Sequence, residues 1–543
     1  MSSAVSRPNR HDLKKLLKCD HTLNGGILFG VDGYVIEIQA RATKALNSPI
    51  GWSSSARISG MATGAVREVL RRIEGAFAKY EIPEPQVDIL VNLAPADLPK
   101  SGTWLDLPLA IILLQAAGML PDLPEHKEGD FVLMGELGIH GEVRRVPGAL
   151  SLAYQAKPGQ KLIVPYGNEK ECALILAKPG HEGCGVFPVA TLEEVIKFFR
   201  GERSLDDARR QGSIQFENAT DPAVDLGRIR GQDAAKRGLM IAAAGGHNLL
   251  MIGPPGEGKS LLASAMPGIL PRLTEHEMVE LTKIYSACGK LEKDGLAVMR
   301  RPMRSVHHTA SKQSVIGGGS GVPMPGEITL AHLGVLFLDE IAEFNRGTIE
   351  ALRQPIEAGE VHLTRVHASM TYPSQFTLVA AMNPCPCGYY PHDECSCTDT
   401  QVQKYLKKLS GPIIDRIDLQ VELQRLSLDE RFAPTEEGVS KRTRAVVTRA
   451  RERQEDRYAG KGIPFNAAMP GGHVQDYCDF SPAGFERFKD VVSTSNLSTR
   501  STDRLAKVAR TIADLAASDT IEVDHLDEAK SFVVGGLLRE AFS

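Results

Sequence analysis

Apolar and polar positions alternate with period two over Tyr34–Ile38 (Y-V-I-E-I) and Val87–Leu93 (V-D-I-L-V-N-L), which predicts strands. Between them, Thr63–Tyr80 has the spacing of a helix, and Lys161–Pro165 predicts a further strand before a turn. Short β-rich and helical runs alternate in this way from about residue 30 to 191. A charged, apolar-poor stretch follows at 200–225. It contains Glu202, Arg203, Asp206, Asp207, Arg209 and Arg210 with turn residues at 218–222, and reads as a linker. From Leu226 to about Glu422 the pattern is strand–loop–helix, and beyond Ser427 it is mostly helical. Short, mainly apolar runs at Asn248–Ile252, Gly334–Leu338 and Phe376–Ala381 predict three short strands, the second of the buried, parallel kind. No fixed-period repeat is visible.

The best candidate for a membrane span, Leu105–Leu120, is broken by Asp106, Pro108 and Gln115 and falls short of the roughly 18 apolar residues required. The polar start of the chain (1–20, with Arg7, Arg10, Lys14, Lys15 and Lys18) is followed by no apolar segment. A cytoplasmic protein with no membrane partner is therefore expected. The 543 residues suggest several folded units, and 42% hydrophobic with 24% charged residues excludes a disordered or collagen-like chain. Lysine and arginine number 63 against 67 acidic residues, a net charge of −4, so contact with a polyanion must be local. Nine cysteines, an odd count, argue against a disulfide framework, yet four of them fall between 385 and 397.

The strand at Asn248–Ile252 runs into Gly253, Pro254, Pro255, Gly256, Glu257, Gly258, Lys259 and Ser260, then into a helix-forming Leu-Leu-Ala-Ser-Ala. This is G-x-x-x-x-G-K-[ST] in its strand–loop–helix context, a phosphate-binding loop. Its glycines turn backbone N–H groups toward phosphate oxygens, and the helix N-terminus adds partial positive charge. Lys259 is expected at the β/γ-phosphates and Ser260 on Mg²⁺. The second apolar strand ends in Asp339 and Glu340, a metal ligand and a group to polarise the attacking water. With no N-K-x-D motif to read guanine, ATP is the expected nucleotide. The third strand ends at Asn383-Pro384, where the Asn either orients that water or serves as a turn former. Arg416 stands among aliphatics in G-P-I-I-D-R-I-D (411–418). It is either a structural partner of Asp415 or Asp418, or a finger reaching a neighbour's γ-phosphate.

These motifs, in this order, resemble an AAA+ ATPase. The runs R-P-M-R-S-V-H-H-T (301–309), P-G-E-I-T-L-A-H-L-G-V-L-F-L-D-E (325–340), A-L-R-Q-P-I-E (351–357) and A-A-M-N-P-C-P-C-G (380–388) resemble the magnesium-chelatase-like ComM/YifB family. So do G-Q-D-A-A-K-R (231–237) and A-A-A-G-G-H-N-L-L (242–250). The resemblance implies a homo-oligomeric ring, usually a hexamer, with ATP and Mg²⁺ bound between subunits. It assigns Asn383 to sensor 1, Arg416 to the arginine finger and Arg500 (in L-S-T-R-S-T-D-R, 497–504) to sensor 2, with Arg504 the second choice. The implied domains are a polar tail (1–20), a Lon-protease-like α+β domain (21–200), a linker (201–225), an α/β P-loop domain (226–426) and a helical lid (427–543).

Cys385, Cys387, Cys395 and Cys397 form C-x-C…C-x-C on a Gly/Pro-rich loop, a candidate Zn²⁺ site, with His392 between the pairs as a competing ligand. Three basic segments are candidate DNA contacts. The first, expected on an inserted hairpin, holds Arg300, Arg301, Arg304, His307 and His308. The second, a hairpin at Glu360–Tyr372, carries Arg365 and His367, and the third is the helical stretch Lys441–Lys461. The run Gly141–Leu150 with Leu162–Pro165 resembles the proteolytic domain of Lon proteases, which need a Ser nucleophile and a Lys base. At the matching positions stand Trp104 and Leu150, while Ser101 and Lys161 are out of register, so no protease activity is expected. Ile58–Arg67 departs from the family's usual G-L-P version of that segment.

The expectation that results is an ATP-driven ring motor acting on DNA, a helicase or branch-migration factor in recombination or uptake of transforming DNA. The alternatives are a magnesium-chelatase-type motor subunit and a protein-remodelling ATPase without a DNA substrate. A transcriptional activator is disfavoured because its G-A-F-T-G-A loop is absent.

Overall fold

The computed structural model describes residues 16–17, 19–44, 51–61, 63–96, 98–100, 103–123, 130–211, 224–291, 297–319, 322–365, 368–409 and 411–534. Ser101 and His367 lie outside them. The chain divides into two compact units: 1–217 with 278–298 and 365–368, and 218–277 with 299–364 and 369–543.

The first unit is built on β1 (Asp20–Phe29), β2 (Asp32–Thr43), β3 (Ala56–Ser59), β4 (Asp88–Ala94), β5 (Phe131–Leu133), β8 (Lys161–Pro165) and β9 (Gly185–Val189). They form one seven-stranded sheet in the order β3-β4-β2-β1-β5-β8-β9. A short ribbon, β6 (Glu136–Leu137) with β7 (Val143–Arg144), lies outside it. β1, β2 and β4 pair antiparallel, and β5, β8 and β9 run parallel, a mixed α+β arrangement. The period-two pattern of β2 buries Ile36, Ile38, Ala40 and Ala42 and leaves Glu37, Gln39 and Arg41 exposed. The buried face packs on Val69, Ile73 and Phe77 of α1 (Thr63–Lys79) and on α2 (Asp106–Ala116). Every residue of α2 is buried, so the longest apolar run of the sequence is a core helix. No helix among the described residues is long and apolar enough to cross a membrane. Trp104 and Leu150 are buried in one apolar cluster.

The second unit centres on a parallel five-stranded sheet in the order β11-β14-β17-β10-β18. Its strands are β10 (Leu249–Ile252), β11 (Met303–Val306), β14 (Val335–Leu338), β17 (Thr377–Met382) and β18 (Leu419–Glu422). Every residue of β10, β14 and β17 is buried, as continuous apolar runs in a parallel sheet require. Helices α3 (Asp233–Gly245) and α4 (Lys259–Ile269) flank the sheet. Two ribbons emerge from it, β12 (Gly317–Gly318) with β13 (Met324–Pro325) and β15 (Glu360–Arg365) with β16 (Ala368–Pro373). Between them in sequence lies α5 (Arg353–Ala358).

The C-terminal helices α6 (Val439–Arg457), α7 (Pro482–Thr494), α8 (Thr499–Leu515) and α9 (Val523–Val533) share a core with α3, α4 and the sheet. A buried polar network fixes α6 to α8: Asp514 accepts from Arg457, Arg510 and Asn466. His247 Nε2 meets Thr511 Oγ1 at 2.8 Å and ties the end of α3 to α8.

Two of the basic segments are not free surfaces. Residues 300–308 do not form a hairpin; β11 is an edge strand paired in parallel with β14. Arg301 donates to Pro271 O and Leu333 O and pairs with Glu277, while Arg304 pairs with Glu327. On α6, Arg451 donates to Ala243 O, Arg453 pairs with Asp519, Arg457 with Asp514 and Arg442 with Glu436. Four of its basic side chains are thus engaged within their own unit, while Lys441 and Arg449 are exposed. Within Glu360–Tyr372, β15 and β16 do pair as a two-stranded ribbon. Val361, Leu363, Met370 and Tyr372 are buried on one face; His362, Thr364, Ser369 and Thr371 are exposed on the other.

Candidate functional site

The parallel register places three chemical segments at one edge of the sheet. Ile252 pairs with Met382, and Leu338 pairs with Ala380. The loop after β10, the Asp339-Glu340 pair after β14 and Asn383 after β17 therefore leave the strands side by side. This is the carboxyl edge of a parallel sheet, where such folds bind ligands.

Gly256 and Gly258 adopt left-handed φ of +84° and +88°, with open space where a Cβ would stand. Only glycine takes this conformation without strain, and the open side is where a phosphate fits. α4 begins at Gly258 with no side-chain cap, so its first N–H groups remain available to an anion. Lys259 is buried, and its ammonium donates to Gly253 O (2.5 Å), Pro254 O (2.8 Å) and Asn383 Oδ1 (3.0 Å). Burial lowers its pKa, opposed by the charges of Asp339, Glu257 and Glu340. An ammonium surrounded by neutral acceptors is suited to a phosphate oxygen. Ser260 Oγ donates to Asp339 Oδ2 at 2.8 Å, the pair that would share a Mg²⁺ ion. Glu257 is drawn the other way, accepting from Arg431 (3.3 Å) and from the Leu426 backbone (3.5 Å).

Glu340 has φ +52°, the left-handed region, which costs a non-glycine residue about 1–2 kcal/mol. Its backbone N–H reaches Asp339 Oδ1 (3.0 Å), and its carboxylate lies 3.0 Å from His308 Nδ1. In the sequence His308 stands in a basic run and in the family-like R-P-M-R-S-V-H-H-T, with nothing that ties it to Glu340. The pairing of β11 with β14 is what brings it to the carboxylate.

Arg416 pairs with neither Asp415 nor Asp418. Its Nη2 lies 2.7 Å from Glu357 Oε1, and Nη1 donates to Pro412 O. The same Glu357 oxygen accepts from Arg500 Nη2 at 2.5 Å. The two arginines, 84 positions apart, thus converge on one carboxylate of α5, which they hold below its ordinary pKa against the opposing effect of burial. Arg504 acts differently. Burial depresses its pKa, and it donates to Ile417 O (2.5 Å) and Ser501 Oγ (3.1 Å), a strut from α8 to the segment before β18. Asn248 binds that segment too, donating to Arg416 O and accepting from Leu378 N, both at 2.9 Å. Neither Glu357 nor Asn248 carries a signal of its own in the sequence.

The four cysteine sulfurs of 385–397 lie within 4.8 Å of one another. Cys385–Cys387, Cys387–Cys395 and Cys385–Cys395 are 3.3, 3.5 and 3.7 Å apart, too far for disulfides. A tetrahedron with metal–sulfur bonds of about 2.3 Å has sulfur edges of about 3.8 Å, so the cluster fits a four-thiolate Zn²⁺ site. The Tyr389 backbone N–H is the largest influence pulling the Cys387 thiol down to about 5, while Cys395 and Cys397 are pushed up, as thiols crowded against a thiolate are. His392 stands outside the cluster. The loop reaches the phosphate loop: a Cβ on Gly388 would lie 2.8 Å from Pro255 Cδ. Arg425 also anchors it, pairing with Glu394 (2.8 Å) and stacking over the Tyr389 ring.

Comparison with known proteins gives this geometry its family. Three domain models match in order: subunit ChlI of Mg-chelatase over 50–168, magnesium chelatase subunit ChlI over 225–431, and its C-terminal part over 437–532. The chain is 41% identical to the uncharacterized protein YifB of Escherichia coli over 87% of its own length and 90% of that protein. The chain belongs to the magnesium-chelatase-like ComM/YifB family. The competence protein ComM of Haemophilus influenzae is 37% identical over 87% of this chain and 91% of its own. A more distant match, 24% identical over 37% of this chain, is to Lon protease 2 of Bacillus subtilis. Membership makes the region 225–431 a AAA+ domain, and ATP with Mg²⁺ the family's ligands.

Proposed function

We propose that this protein is an ATP-hydrolysing motor that assembles as a homo-oligomeric ring, a hexamer, in the cytoplasm and works on DNA as a helicase or branch-migration factor in recombination or natural transformation. The observation that carries the ATPase reading is the convergence of Lys259, Ser260, Asp339, Glu340 and Asn383 at the carboxyl edge of the sheet. Lys259 and the loop N–H groups would bind the phosphates, and Ser260 with Asp339 would hold the Mg²⁺. Glu340 would polarise the attacking water and Asn383, as sensor 1, would orient it.

Arg416 and Arg500 act as finger and sensor 2. Because they share one carboxylate, a phosphate that reaches either guanidinium is within reach of both. The finger role of Arg416 then makes both groups part of the neighbouring subunit's nucleotide site. The Cys385, Cys387, Cys395 and Cys397 cage holds a structural Zn²⁺. The N-terminal unit is a Lon-like fold without protease chemistry, and the apolar burial of Trp104 and Leu150 supports that reading. The DNA reading draws on the β15–β16 ribbon with its exposed polar face and on the name of the competence relative.

ATP turnover measured with single-stranded, duplex and four-way-junction DNA tests the proposal. Stimulation by at least one form, lost at higher salt, is expected. Turnover indifferent to all three favours the alternative, a chelatase-type or protein-remodelling ATPase with no DNA substrate.

A further inference from the structure

An arginine finger has to leave its own subunit to reach a neighbour's phosphate, and Arg416 is not free to do so. Its side chain is only 9% exposed. Nη1 is committed to Pro412 O at 2.6 Å and Nη2 to Glu357 at 2.7 Å. Its Nε is buried with no hydrogen-bond partner among the described residues. Arg500, by contrast, is half-exposed and points to the same Glu357 oxygen. Glu357 itself is 48% exposed and forms part of the wall of a cavity of about 1140 Å³ that Arg416, Arg500, Arg504 and Lys507 also line.

A guanidinium pair binds carboxylate and phosphate oxygens with the same fork of N–H donors. We propose that Glu357 is an internal competitor for the neighbour's terminal phosphate: in the free subunit its carboxylate fills the anion site formed by Arg416 and Arg500, and nucleotide carried in by a second copy of this chain displaces it. The inference rests on the proposed roles of the two arginines at a shared ATP site. Glu357 is thus a positioning residue that acts through the arginines. Displacement releases Arg416 from its buried pose, since the carboxylate that holds Nη2 is gone and the more highly charged phosphate replaces it. The latch also makes assembly depend on nucleotide. Without a terminal phosphate Glu357 occupies the donors the two arginines share and offsets part of their charge, which weakens the pull of this face on a neighbour.

The full-length chain with Glu357→Gln or Glu357→Ala tests this, with Mg²⁺ and a non-hydrolysable ATP analogue as the probe. Light scattering or sedimentation would give the protein concentration at which half the chains assemble. A fluorescent ATP analogue would report nucleotide affinity in dilute, unassembled protein. Both variants are expected to assemble at about tenfold lower protein concentration than wild type, as loss of two competing ion pairs, one half-exposed and one with its arginine buried, implies. Their affinity for the analogue in dilute protein should be unchanged, because Glu357 does not touch the phosphate loop of its own chain. Glu357→Gln keeps the shape of the side chain and guards against a folding defect in the alanine variant. Assembly at the wild-type concentration, or a higher one, by variants that still bind nucleotide would make Glu357 a simple strut and overturn the inference. Failure of wild-type protein to assemble with the analogue would instead remove the shared-site reading, and the latch with it.

Discussion

Gly388→Ala isolates the contact between the cysteine loop and the phosphate loop. Gly388 has φ +87°, and a Cβ there would lie 2.8 Å from Pro255 Cδ and 3.8 Å from Asn383 Cγ. The left-handed backbone alone costs a residue with a Cβ about 1–2 kcal/mol. Forcing a methyl against a proline ring adds about 1–3 kcal/mol if nothing moves. The cysteine loop is tied down by its thiol cluster and by Arg425, so relief comes from displacing Pro255. That displacement reaches the site directly, because the Pro254 carbonyl accepts from the Lys259 ammonium at 2.8 Å. A shift of a few tenths of an ångström in a phosphate cradle is expected to weaken ATP binding about tenfold, the equivalent of about 1.4 kcal/mol. Gly460→Ala is the matched control, since Gly460 has φ +72° and nothing within 4 Å of its would-be Cβ. It carries the backbone cost without the clash, and its nucleotide affinity should match wild type. Titration with a fluorescent ATP analogue, alongside thermal melts, compares the two. Equal nucleotide affinity in both variants would show that the cysteine loop does not set the position of the phosphate loop.

Lys259→Ala should abolish ATP turnover while leaving a folded protein by circular dichroism; turnover that persists would remove the phosphate assignment. Protein purified without added zinc should contain about one zinc per chain, and Cys395→Ser should lose it; less than about half an equivalent in wild type sinks the metal reading. Asp106 offers a pH test in the N-terminal unit. Burial is the main cause lifting its pKa to about 6, although Arg72 holds it at 2.7 and 3.0 Å. A folded value above the unfolded one contributes stability that is full below about pH 4 and lost as pH rises through about 6. The stability of wild type relative to Asp106→Asn should therefore fall between about pH 4 and pH 7. A difference that stays flat or grows across that range would refute the burial argument.

What the sequence determined by itself was contiguous chemistry. Gly253–Ser260, Asp339-Glu340, Asn383 and the cysteine run each carry their ligand types within one short segment, and β10, β14 and β17 announce themselves as mainly apolar runs. Those segments lie side by side because β14, β17 and β10 are neighbours in one parallel sheet and end at one edge. The charged groups were another matter. Basic residues at 300–308 and on α6 read as surfaces for a polyanion, yet most find acceptors within their own unit once the chain folds. The pairing of Glu357 with Arg416 and Arg500, and of His308 with Glu340, joins residues from separate elements. A long side chain takes whichever opposite charge the fold brings within reach, and no local periodicity encodes that partner. Chemistry confined to one turn of chain was therefore legible in advance, while the state of the arginines was decided only when α5, the segment before β18 and α8 packed around one carboxylate.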